Sequence, residues 1–122
     1  MNNLIKVQQN EKGDLIISAR DLHKSLKVQQ DFTHWIKKQL ESVEGIEGVD
    51  FTRFVFKNEG NSANIHDYIL KLDIAKEICM VVGVAPRTNK ETKELSKKVR
   101  KYFIECERQL KIQITNNEMP FP

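Results

Sequence analysis

Two short apolar runs open the chain, Leu4 to Gln8 and Leu15 to Ser18, separated by the polar stretch NEKGD. Runs of that length around a turn in which Gly13 can take positive φ predict a β-hairpin. From Ser18 the period changes. Leu22 and Leu26 stand four apart, Ser18 is a good N-cap, and Asp21 favours a helix N-terminus, which predicts a short helix over residues 19–26. KVQQ interrupts it. Phe32, Trp35, Ile36 and Leu40 then recur at i, i+3, i+4 and i+8, one face of a second helix over 31–42 that starts near Gln30 or Asp31.

Beyond residue 42 the pattern becomes loop, strand, loop, strand. Phe51, Phe54, Val55 and Phe56 form a β-rich run, NEGNSAN makes a loop tip, and Ile65 to Leu72 comes back from it. A hairpin placed after two helices has the outline of a wing. The stretch HDYILKLDIAKEICMVVG passes from strand into helix without a linker. Asp73 is expected to cap a helix over 74–82 with Ile74, Ile78, Val81 and Val82 inward, Gly83 to end it, and Pro86 to prevent continuation. After the polar RTNKET connector, Asn89 or Thr92 starts a last helix running to about 111. Leu95, Val99, Tyr102, Cys106 and Leu110 supply its apolar stripe, widened by Phe103 and Ile104. TNNEMPFP has no period. The expectation is one helix-rich α+β domain over residues 1–111, with a helix-turn-helix-like pair, short hairpins and a long C-terminal helix, then a flexible tail over 112–122.

The 122 residues are enough for one domain and little more. No run of 18 apolar residues exists, so no membrane-spanning helix is expected, and the first residues lack the apolar core of a secretion signal. Cys79 and Cys106 both fall in apolar helical patterns and read as reduced core thiols of a cytosolic protein. No metal or other cofactor is expected.

Net charge is only +3, but its distribution is uneven. Residues 87–101 carry seven Lys or Arg against two Glu, whereas ESVEGIEGVD, residues 41–50, carries four acids and no base. Arg87, Lys90, Lys97 and Lys101 are therefore candidate contacts to phosphate or to an acidic protein surface. Glu41, Glu44, Glu47 and Asp50 are candidate contacts to a protein partner.

The stretch ARDLHKSLKVQQDFTHWIKKQL resembles a helix-turn-helix in outline. In such a unit Gln29, Gln30, Thr33, His34 and Lys37 would reach base edges of double-stranded DNA, with Lys38 on phosphate. His23 stands where the helix crossing usually takes a small residue, and Lys27 where the turn often takes glycine. Catalysis finds little support. The three histidines are scattered, no nucleophile lies in a recognisable motif beside His66–Asp67, and no phosphate loop is present. An enzyme is not expected.

DFTHWIKKQL, GVDF, DYILKLDIAKEICMV and RKYFIECERQL occur in this order and at suitable separations. Together they resemble the AntA/AntB antirepressor domain of bacteriophages and prophages, over about residues 15–111, with Trp35, Asp73 and Phe103 as its structural marks. The resemblance implies a product acting in the bacterial cytoplasm that relieves a phage repressor and favours lytic growth, by binding rather than catalysis. Family members often carry a second, C-terminal domain. The protein partner implied is the repressor; direct DNA binding is the alternative, and the apolar width of the last helix also suits a homo-oligomer.

Overall fold

The computed structural model describes residues 5–57, 60 and 64–118, with side chains through Ile112. The elements are β1 (Gln8–Gln9), β2 (Leu15–Ser18), α1 (Ala19–Ser25), α2 (Phe32–Ser42), β3 (Phe51–Lys57), β4 (Asn64–Lys71), α3 (Leu72–Val84) and α4 (Lys90–Glu118). The expected α+β domain is what forms. An antiparallel sheet of order β1-β2-β4-β3 carries the helices.

The first hairpin forms around Gly13, whose φ is +86°. Its first strand is shorter than expected and lies later, at Gln8–Gln9. Ile5 goes into the core instead, and its carbonyl accepts the Tyr102 hydroxyl at 2.9 Å. Leu4 lies outside the described residues, as does most of the NEGNSAN tip.

Ser18 caps α1, accepting from the Asp21 N–H, and Asp31 caps α2, accepting from the His34 N–H at 3.0 Å. The four apolar positions of α2 are all buried. Between the two helices Lys27 takes the left-handed conformation, φ +53°, which is why glycine suits that position. His23 is accommodated at the crossing because its ring packs edge-on against Phe32 and Trp35, with Nε2 2.7 Å from the Gln30 carbonyl.

Two expectations for α3 need correction. Asp73 does not cap it. The helix starts at Leu72 straight from the strand, so Asp73 already lies inside the first turn, with its carboxylate exposed and 3.3 Å from Lys76. Burial of Leu72, Ile74, Ile78 and Val82, each worth about 1.5–3 kcal/mol, outweighs the roughly 1 kcal/mol of a missing cap. Gly83 does not end α3 either. The helix runs on to Val84, and Ala85, held extended by Pro86, ends it. Gly83 faces α4, where an added Cβ would stand 3.7 Å from Ser96 Cβ.

α4 is capped by Asn89, which accepts the Thr92 N–H at 2.8 Å. Its deepest line is Thr92, Ser96, Val99 and Phe103; Val99 and Phe103 belong to the expected stripe, whereas Leu95 and Tyr102 of that stripe are only half-buried and the polar Thr92 and Ser96 take the deep positions. The helix continues to Glu118, so residues 112–118 are helical rather than an irregular tail; Met119–Pro122 lie outside the described residues. Cys79 is buried and Cys106 half-buried, both as free thiols.

Candidate functional site

The N-terminus of α1 is tied to the middle of the second hairpin, where Asp67 stands opposite Phe54. Asp67 is buried, and its Oδ2 accepts from Ser18 Oγ at 2.6 Å while Oδ1 accepts the N–H groups of Arg20 and Tyr68. Ser18 thus passes the cap on, accepting from Asp21 and donating to Asp67. Arg20 donates through Nε to the His66 carbonyl at 2.6 Å and lies over the Phe32 ring, 4.3 Å from its centroid. His66 itself is exposed. Asp67 is spent on backbone and hydroxyl donors, so the two do not form a base with an orienting carboxylate.

Of the DNA candidates, Gln29, Gln30, Thr33, His34, Lys37 and Lys38 are all exposed. His34 is partly engaged, since its Nδ1 lies 2.7 Å from the Asp31 carboxylate. Hydrogen bonds from the His34 backbone and ring lower the pKa of Asp31. Gln29, Gln30 and Lys38 meet Arg87 around an open groove of about 550 Å³ between α2 and the α3–α4 connector, floored by Trp35, Val81 and Val82. Gln39 also borders this groove, and among the described residues its buried Oε1 has no hydrogen-bond partner. Lys90, Lys97 and Lys101 do not join it. They are exposed along the side of α4 opposite its deep line, about 100° per residue placing all three on one face. α4 braces the turn between α1 and α2, because Thr92 Oγ1 donates to the Lys27 carbonyl at 3.4 Å and Glu91 pairs with Lys27 at 3.3 Å.

The acidic group divides. Glu41, Glu44 and Glu47 are exposed. Asp50 is half-buried and organises the loop: its Oδ2 accepts the Ile46 N–H at 2.9 Å, and its carbonyl accepts from Lys71.

One surface was not singled out from sequence. In β3, every residue from Thr52 to Lys57 is exposed, including Phe54, Val55 and Phe56, and the rings of Phe54 and Phe56 stack at 5.6 Å. Ile46 and Val49 of the preceding loop are exposed as well. A signal was present in FTRFVFK: apolar residues at both odd and even positions cannot all face one side of a strand.

A family model described as AntA/AntB antirepressor matches residues 17–83, more than half of the chain. The chain belongs to the AntA/AntB antirepressor family. The match runs from β2 to Gly83 and so takes in both helices of the pair, the acidic loop, the wing-like hairpin and nearly all of α3; the RKYFIECERQL helix lies beyond it. No curated protein and no solved structure matches. Among the described residues of this antirepressor-family chain, no group of three or more His, Cys, Asp or Glu could hold a metal ion, and no helix is long and apolar enough to cross a membrane.

Proposed function

We propose that this domain relieves repression in the bacterial cytoplasm by binding a phage repressor directly, as a binding module without catalysis. Family membership supplies the antirepressor role. The observation that favours a protein target is the number of large apolar side chains left in solvent, Phe54, Val55 and Phe56 in β3 and Ile46 and Val49 in the loop before it, a loop that also carries the exposed acids Glu44 and Glu47. Large apolar side chains held in solvent are what a protein interface covers. The test is to mix the full chain with the repressor of the same phage, free of DNA, and to follow the pair by size-exclusion chromatography and calorimetry. A stable complex is expected. Failure of the two to associate at tens of micromolar would overturn the reading.

A second reading is direct binding to duplex DNA. It draws on the exposed row Thr33, His34, Lys37 and Lys38 on α2, in a strand–helix–helix–hairpin order that flanks this helix with a wing. Replacing Lys37→Glu together with Lys38→Glu should then abolish a duplex shift and leave the fold intact. Affinity should fall with salt at a log–log slope of roughly −0.9 per phosphate contacted. Unchanged duplex binding by that variant removes α2 as the reading element.

A further inference from the structure

β3 is the last strand of the sheet, paired along its length with β4; on its outer side the preceding loop makes one isolated bridge, Glu47 with Phe51, and leaves the rest of the strand open among the described residues. Two hydrogen bonds fix which backbone groups face outward. The Asp50 carbonyl accepts from Lys71, so even-numbered residues of this strand turn their backbone groups toward β4. The Phe51 carbonyl accepts the Gly48 N–H at 2.7 Å, from the other side. By alternation, the N–H and C=O groups of Arg53, Val55 and Lys57 point to the open edge. Among the described residues no backbone bond from outside the sheet reaches them.

An open edge of this kind is usually kept short or polar, because it is a template for another strand. The opposite edge obeys that rule, being two glutamines long. β3 is seven residues long and holds three exposed large apolar side chains. Phe54 and Phe56 share one face of it; Arg53, Val55 and Lys57 share the other.

Charge selects the occupant. β3 has two cations and no acid, and among the described residues neither Arg53 nor Lys57 enters an ion pair. A second copy paired antiparallel about Phe54 would gather both cations of each chain on one face with nothing to neutralise them, and like charges on neighbouring strands repel. We propose that the free edge of β3 is a docking strand for an extended segment of a partner protein, with acidic residues opposite Arg53 and Lys57 and aliphatic residues opposite Phe54 and Phe56. Main-chain bonds to Arg53, Val55 and Lys57 supply the affinity, and the alternating side chains supply the selection. This deepens the reading above and rests on it in one respect, that the domain acts on a protein.

The test uses the full chain, isotope-labelled, and the acetylated, amidated peptide EVTIEVT, whose glutamates fall opposite Lys57 and Arg53 in an antiparallel pairing. NMR shift changes are expected over residues 52–57. The peptide KVTIKVT should bind at least ten-fold more weakly, and backbone N-methylation of EVTIEVT should remove binding. In the Arg53→Glu, Lys57→Glu variant the preference between the two peptides should reverse, while signals outside β3 and β4 stay in place and report an intact fold. No shift at millimolar EVTIEVT would overturn the proposal. So would equal binding of the two peptides, or self-association through β3 that excludes the peptide, or a 12-base-pair duplex binding to this strand in preference to the peptide. Peptide docking with no repressor complex would leave the docking strand standing and remove the repressor as target. A repressor complex without peptide docking would do the reverse.

Discussion

Ser18 and Asp67, 49 residues apart in sequence, share a hydrogen bond of 2.6 Å, and through it the cap of α1 is completed by a buried carboxylate of β4. Removing that carboxylate strips the Ser18 hydroxyl and the Arg20 N–H of their acceptor together. Hydrogen bonds to a charged group contribute about 1.5–3 kcal/mol each. Asp67→Ala should therefore destabilise the domain by about 3 kcal/mol and Ser18→Ala by about 1–2 kcal/mol. A double-mutant cycle in urea should show the two losses to be less than additive. Additive losses would mean that the two side chains act separately.

Gly83 is the last residue but one of α3 and needs no unusual dihedrals. An added methyl would meet Ser96 Cβ at 3.7 Å, an ordinary contact. Gly83→Ala should raise stability by about 0.5–1 kcal/mol through helix propensity. Gly83→Leu should lower it by more than 1 kcal/mol, since α4 leaves no room for the longer chain. Thermal midpoints of the three proteins decide the matter.

Lys27 holds a left-handed conformation at φ +53°. That region costs a residue with a Cβ about 1–2 kcal/mol, and glycine nothing. The Lys27–Glu91 pair lost on substitution is well exposed and is worth about 0–1 kcal/mol at most. Lys27→Gly should leave stability equal or raise it by up to about 1 kcal/mol. A clear loss in urea unfolding would show that the tie to α4 matters more than the backbone.

Burial pushes the Cys79 thiol from 9.0 up to about 12. The folded protein keeps this proton where the unfolded chain has released it. Stability is then full below pH 9 and falls as pH rises toward 12, by at most about 1.4 kcal/mol per pH unit. Lys76 acts in the same direction. Burial lowers its pKa, but hydrogen bonds to Glu107 and Asp73 more than offset this, so its net pKa is raised and its contribution is lost as pH climbs past 10.5. Urea midpoints at pH 7, 9, 10 and 11 should decline, and Cys79→Ala should flatten the first part of that decline. At pH 8 a thiol reagent should label Cys106 and spare Cys79 until the chain unfolds.

The helices and β2 could be read from the sequence because their signals are local: a period, a cap residue, a turn. β2 spans Leu15–Ser18 as expected, and α2 buries the four apolar residues that its period selects. What could not be read depends on which elements meet. Two aspartates lie six residues apart, and Asp73, just ahead of an apolar helix, looks like the cap. Only the pairing of β2 with β4 brings Asp67 to the start of α1 and makes it the structural one. Likewise Gly83 looks like a stop until α4 lies against it. The deep line of α4 includes Thr92 and Ser96, polar residues that hydropathy passes over. Of the site, the exposure of the α2 candidates was legible from its amphipathic period. The groove that joins Lys38 to Arg87 needed the α3–α4 connector to be placed.

Arg20 grips the His66 carbonyl while lying flat on Phe32, and so pins the outer half of the hairpin to the first turn of α2. Two prongs held at one gauge do not have to search for each other. A target that touches both meets a spacing set in advance, loses little freedom in matching it, and is rejected if its own contacts stand too near together or too far apart.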